Sequence, residues 1–256
     1  MRDKTTRPRG RARDLRQCPG GRPVAAMTTV APAATPIVRL TGVSKGFAAT
    51  SGLVSVLQDV SFTINPGQKV SLMGVSGSGK STLLSLLAGL LRADSGTVEL
   101  DGVALVGLDD AAMARLRSRR IGIALQSENL IPFMTAQENV ELAQSFGPQK
   151  RSGKRSATQA RSMLDRMGVA HRASHLPRQM SGGEAQRVSL AVALANAPAL
   201  LLADEMVSQL DTETAGAVVG EVFDSAMAVL FVTHDASLAA RAELRLALQD
   251  RTVVAL

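Results

Sequence analysis

From Ile37 onward, apolar and polar positions alternate in short runs whose period changes along the chain. Residues 37–43 and 56–64 keep a two-residue period and read as strands, followed by a Pro66-Gly67 turn. Residues 70–73 form a shorter, more apolar run that fits a buried strand. Over 80–91, Leu83, Leu84, Leu87 and Leu90 return at helical spacing and predict a helix. Strands are expected at 97–100 and 121–125, with a helix at 111–119 between them. The stretch from Thr135 to about Gly168 is polar, rich in Gln, Arg and Ser, and reads as helical, with a Pro/Gly/basic break at 148–153. The alternation then resumes: helix 184–196, strand 200–203, helix 212–224, strand 228–232, a short helix and two final strands. Strands alternating with helices imply an α/β fold with a mostly parallel sheet. The helical middle, about 127–196, reads as an inserted subdomain, and no internal repeat is visible.

Composition narrows this picture. The 256 residues are 45% hydrophobic and 20% charged, as in ordinary globular chains. No run reaches the ~18 apolar residues of a membrane-spanning helix. The nearest, 188–203, is interrupted by Asn196 and Pro198. A channel or carrier acting by itself is excluded, and the single cysteine, Cys18, excludes a disulfide scaffold. Of the net charge of +7, six units belong to the first 26 residues, which hold eight Lys/Arg and two acids. From Met27 onward 21 basic residues face 20 acidic ones, so no basic nucleic-acid face is expected on the folded domain. Residues 1–36, rich in Arg, Pro, Gly, Thr and Ala, are expected to be a disordered basic tail. They lack the apolar core of a secretory signal, and Met27 is a plausible alternative start. The tail reads as solvated chain, with contact to anionic lipid or nucleic acid as the alternative.

Two motifs carry chemistry. Gly74-Val75-Ser76-Gly77-Ser78-Gly79-Lys80-Ser81 fits G-x-x-x-x-G-K-[ST], with Thr82 behind it, an apolar strand before it and a helix after it. Glycines let the backbone curl so that several N–H groups face phosphate oxygens, and the helix adds its positive dipole end. Lys80 is placed to reach the β/γ-phosphates and the Ser81 hydroxyl to coordinate Mg²⁺. Farther on, Leu200-Leu201-Leu202-Ala203-Asp204-Glu205 is an apolar strand that ends in two acids. A buried parallel strand delivers such residues to the carboxyl edge of its sheet, where ligands bind. Asp204 is placed to hold Mg²⁺ through water and Glu205 to polarise an attacking water.

Between these motifs, Met180-Ser181-Gly182-Gly183-Glu184-Ala185-Gln186-Arg187 resembles the signature of ATP-binding-cassette (ABC) ATPases. Ser181 followed by Glu184 is also a capping box that opens a helix, and the two readings are compatible. The resemblance runs from residue 37 to about 250. It implies a RecA-like P-loop sheet flanked by helices, an antiparallel β subdomain and an inserted helical subdomain. It also implies that Ser181, Gly182, Gly183 and Glu184 meet a nucleotide held by a partner copy, so that a head-to-tail homodimer sandwiches two ATP molecules. By the same resemblance, Gln126 is a metal and water sensor linked to the transport partner, Asp211 is the D-loop aspartate and one of the nucleotide-binding residues, His234 contacts the γ-phosphate and Phe47 stacks on adenine. The wording at Gln126–Pro132 and Thr135–Val140 is similar to the branch serving lipoprotein release, macrolide or peptide export and cell division. Members of that branch drive separate membrane subunits from the inner face of the cell membrane, so a peripheral cytoplasmic location follows, with no nucleic-acid partner. The family usually continues Pro-Thr-Gly-Asn-Leu-Asp after the catalytic acid, whereas this chain reads Met206-Val207-Ser208-Gln209-Leu210-Asp211. That departure leaves a weakly hydrolysing ATP-dependent clamp as an alternative. A soluble, non-transport ABC ATPase is a second one, although the single phosphate loop and the absence of sustained heptads speak against it.

Overall fold

Two sheets share one apolar layer in the computed structural model, which describes residues 35–50, 52–124, 130–148 and 153–256. The expectations for Cys18, Met27 and most of the basic tail, for Leu125, Gln126 and 127–129, and for most of the 148–153 break lie outside the described residues. The strands β1 (Val38–Ala49), β2 (Gly52–Ile64), β4 (Ser95–Leu100) and β5 (Val103–Ala104) form an antiparallel sheet in the order β2-β1-β4-β5. The second sheet uses β3 (Lys69–Met73), β6 (Ile121–Ala124), β7 (Leu200–Asp204), β8 (Ala228–Val232), β9 (Leu244–Gln249) and β10 (Thr252–Ala255). Its order is β10-β9-β3-β8-β7-β6, parallel throughout except for the antiparallel edge strand β10.

The strand period of two explains how this sheet is buried on both faces. Leu200 and Leu202 of β7, with Ala228, Leu230 and Val232 of β8, point into a core shared with the antiparallel sheet and with α1 (Lys80–Leu87). Their neighbours Leu201, Ala203, Val229 and Phe231 point the other way. There they meet α3 (Ala136–Ser145), α4 (Lys154–Arg166), α5 (Gly182–Leu194) and α6 (Thr212–Phe223) through Val140, Leu164, Val188 and Val222. Phe231 is fully buried, and its ring lies 5.4 Å from that of Phe223 in a tilted pair. At the start of β3 the buried Lys69 ammonium donates to the carbonyls of Gly67, Ser225 and Met227, tying this strand to the turn before β8.

Several boundaries differ from the sequence expectation. β1 continues past residue 43 to Ala49, because three register shifts against β2 break the simple alternation. α1 stops at Leu87 rather than 91: Gly89 takes φ +63°, and Leu90 turns outward and is exposed. The polar middle resolves into α3 and α4, followed by two single 3-10 turns at Ala170–Arg172 and Pro177–Gln179. β5 is two residues long and leaves no periodic signal. The remaining helices, α2 (Asp110–Arg120) and α7 (Ala236–Ala239), fall where the pattern places them.

Phe231→Ala should cost about 3–5 kcal/mol of unfolding free energy, the usual loss for a fully buried aromatic. Urea unfolding followed by far-UV circular dichroism reads this out. A loss under ~1 kcal/mol would mean that the helical layer collapses into the vacated space.

Candidate functional site

β3, β7 and β8 end at Met73, Asp204 and Val232, and the polar residues that follow gather at this one edge of the sheet. The phosphate loop curls between β3 and α1 with left-handed glycines at Gly74, Gly77 and Gly79. At Gly74 a Cβ would stand 2.9 Å from both the Leu248 carbonyl and Ser78 Oγ. No larger residue fits there without moving the loop. Lys80, itself buried, donates its ammonium to the carbonyls of Gly74 and Val75, at 2.8 Å each. Ser78 Oγ is buried and has no hydrogen-bond partner among the described residues. A cleft of about 820 Å³ opens over Gly74, Val75, Gly77 and Ser78 and reaches His234. An orphan hydroxyl, an ammonium and a helix start converging on such a cleft suit a polyanionic phosphate chain.

Across the edge, Ser81 Oγ lies 3.3 Å from Asp204 Oδ2. Burial pushes the Asp204 carboxyl above its ordinary value; the Ser81 hydrogen bond opposes this, and the neighbouring Glu205 charge adds to the rise. Glu205 occupies the left-handed region at φ +53°, a rare conformation for this residue type. Its N–H donates to the Val232 carbonyl. Its own carbonyl accepts from Gln186 Nε2 at 2.5 Å and from the Ser208 hydroxyl at 3.2 Å. The Glu205 carboxylate faces His234, with Oε1 3.6 Å from Nε2. A second cleft, of about 630 Å³, is lined by Glu205, Ser208, Thr233 and His234, so the two clefts have Thr233 and His234 in common.

The signature turn is built on a different part of the molecule. Ser181 caps α5: its hydroxyl accepts from the Glu184 N–H, and the Glu184 carboxylate accepts from the Ser181 N–H at 2.8 Å. Arg172 Nε lies 2.8 Å from the same carboxylate and His171 Nε2 lies 3.3 Å from it. The Ser181 N–H, then Arg172, hold the Glu184 carboxyl down at about 2. Its side chain is thus committed to the turn, and what the turn still presents outward is Ser181 and Gly182, both exposed. Gly182 and Gly183 press on the loop after Glu205; a Cβ on Gly183 would meet the Gln209 carbonyl at 2.8 Å.

The structure therefore brings Lys80, Ser81, Asp204, Glu205 and His234 to one edge and sets Ser181–Glu184 beside Gln209. Asp211 accepts from the Thr214 N–H and caps α6. Phe47 lies on β1, 40% exposed, with the Lys45 ammonium 5.5 Å from its ring centre. Sequence reading missed Gln186, whose amide is buried between the signature helix and the loop after Glu205. Its sequence signals are its place in the signature-like segment and a polar residue on the apolar face of α5.

A family model described as ABC transporter matches residues 57–208. The lipoprotein-releasing system ATP-binding protein LolD 2 of Rhodospirillum rubrum is 41% identical over 223 residues, covering 86% of this chain and 96% of its own. A macrolide export ATP-binding/permease protein, MacB of Rhodopseudomonas palustris, is 39% identical over 84% of this chain but only 33% of its own length. Among solved structures, the dimeric post-hydrolysis state of the ATP-binding cassette MJ0796 bound to ADP and Pi superposes with a TM-score of 0.81. Its identity is 36%, over 84% of this chain and 96% of that one.

Two titrations follow from the site. The depressed Glu184 carboxyl adds stability above its ordinary value of 4.5, and this is lost as pH falls toward about 2. The melting-temperature gap between wild type and Glu184→Gln should be widest near neutrality and close over that acid range. Asp204 has the opposite sign, because its raised folded pKa means that the ionised form opposes folding at neutral pH. Without nucleotide or Mg²⁺, Asp204→Asn should melt above wild type at neutral pH, and the gap should shrink on acidification. A lower melting temperature for Asp204→Asn would contradict this.

Proposed function

The chain belongs to the ABC transporter family, and from that membership we propose how its residues bind ATP, hydrolyse it and pass the work on. The observation that carries the reading is the gathering of Lys80, the Ser81–Asp204 pair and the Glu205–His234 pair at one sheet edge. Phosphoryl transfer asks a protein mainly for positioning and for charge compensation around the γ-phosphate. In this reading the loop N–H groups from Gly74 to Thr82 cradle the phosphates. Lys80 exchanges its two carbonyl partners for phosphate oxygens. Ser81 and Asp204 offer hard oxygen donors to Mg²⁺, with Gln126 as a further metal and water contact, and the ion when bound neutralises phosphate charge. Glu205 orients and polarises the attacking water, and His234 steadies the γ-phosphate. Phe47 supplies the ring under adenine.

Dimerisation completes the site. In the head-to-tail arrangement Ser181 and the N–H groups of Gly182 and Gly183 face the nucleotide of the other copy, and Asp211 lies at the same contact. The dimeric state of the MJ0796 cassette supports this, as does a signature turn whose Glu184 is already spent on its own cap. The helical insertion, about 127–196, is the proposed contact with membrane subunits, near 126–140. Phe133 and Phe146 there are 80% and 65% exposed, more than solvated rings warrant. Among the described residues no helix is long and apolar enough to cross a membrane. We place the protein on the inner face of the membrane, driving a permease in export or mechanical transmission, as the LolD and MacB relatives suggest.

Glu205→Gln should bind ATP and elute as a dimer in ATP and Mg²⁺, with turnover reduced at least ~100-fold, the scale of a lost water-orienting group. Near-normal turnover in that variant would reject Glu205 as the base. A wild-type protein that binds ATP and dimerises without turnover, even beside its membrane partner, would instead favour the clamp.

A further inference from the structure

We propose that Gln186 is a positioning residue for hydrolysis, the side chain through which the signature helix holds the catalytic turn in shape. The inference rests on the reading of Glu205 as the group that orients water. Gln186 sits on the first turns of α5, two residues past Glu184, and is 7% exposed. Both ends of its amide are engaged by the segment after β7. Nε2 donates to the Glu205 carbonyl at 2.5 Å, and Oε1 accepts from the Gln209 N–H at 3.2 Å. One side chain thus bridges the first and last residues of the five-residue turn 205–209, closing it like a clasp.

The position of that bridge matters because Glu205 has left-handed backbone, at φ +53°. A non-glycine residue holds such a conformation only when its surroundings fix it. The Glu205 N–H is fixed by Val232 and its carbonyl by Gln186 and Ser208, so both peptide groups flanking its Cα are pinned. Their orientation determines where the carboxylate points. Met206, only 2% exposed, anchors the same turn in the lower core. Here the usual Pro and Gly of the segment are replaced, so neither a fixed φ nor a glycine kink shapes it, and hydrogen bonds and burial take over that work.

The clasp also joins two functions. The N-terminus of α5 is the proposed contact for the partner's nucleotide, while Glu205 serves the nucleotide of its own copy. Gly183 lies directly on the Gln209 backbone, with no room for a Cβ, and Gly182 lies on the Gln209 side chain. A displacement of the helix start is therefore transmitted to the Glu205 peptide through Gln186 and Gln209.

The test is Gln186→Met, which keeps the side-chain volume and removes both hydrogen bonds. ATP turnover should fall about 10- to 100-fold, the order expected when a catalytic group is misplaced by up to an ångström. The KM for ATP should stay within about twofold, because no proposed nucleotide contact is touched. Added to Glu205→Gln, the same substitution should leave the ATP-driven dimer elution unchanged. A kcat within twofold of wild type, or a loss carried by KM, overturns the proposal. Gln186→Glu is the second arm if Gln186→Met does not fold: ionised, it still accepts from Gln209 but has no proton for the Glu205 carbonyl. Its turnover relative to wild type should be low at neutral pH and rise as acid restores that proton; a pH-independent ratio near one overturns the proposal. Normal hydrolysis by Glu205→Gln would strike the assignment of Glu205 instead, and the two failures are separately visible.

Discussion

Double-sided burial of the central sheet sets the terms for everything else. β7 and β8 carry apolar side chains to both faces, so neither face has room for a charge. Polar groups at these strands are confined to the ends, and the parallel direction puts the carboxyl ends of β3, β7 and β8 together. Lys80 at the start of α1, Asp204 at the end of β7 and His234 just past β8 are remote from one another in the chain, yet they share an edge because three strands run the same way. The antiparallel sheet contributes by sealing the upper core and by placing β2 against the phosphate loop, where Val56 stands 2.8 Å from a Cβ on Gly79.

At that edge the protein satisfies its own charges provisionally. The Lys80 ammonium rests on loop carbonyls, the Ser81 hydroxyl on Asp204, and the Asp204 carboxyl is reluctant to ionise. In the proposed reading, each of these partners gives way to a phosphate oxygen or to the cation bound with it. Desolvation there is largely met before ligand arrives, which is the physical content of a preorganised site. The signature turn is the opposite case. Glu184 is held by the Ser181 N–H, Arg172 and His171, charged and neighbouring-turn partners rather than loop carbonyls.

The elements most legible in the sequence were those with one dominant signal. β8 spans 228–232 as its unbroken apolar run predicts, and the phosphate loop lies between strand and helix as its glycines require. Boundaries drifted where two signals competed. Leu90 and Leu91 continue a helical period that Gly89 ends, and the β1–β2 ribbon runs on to Ala49 through register shifts that period-two reading does not follow. The roles hardest to see were those of side chains that act on backbone. Glu184 carried both a signature and a capping signal, and only geometry shows how completely the cap consumes it. Gln186 lay inside the signature-like segment without a role of its own, since a buried amide bridging two backbone groups depends on a loop some twenty residues away.

Phe47 has a consequence outside chemistry. The chain contains neither Trp nor Tyr, and its six Phe do not absorb at the longer wavelengths that excite an indole. The Phe47 ring is 40% exposed at the far end of β1, with a cation 5.5 Å from its centre, on a strand whose neighbours are fixed by Val54 pairing. An indole installed there would be the sole emitter at those wavelengths. With Phe47 beneath adenine, as proposed, nucleotide arrival, turnover and release would be followed at that one position, without a dye and without a second label to subtract.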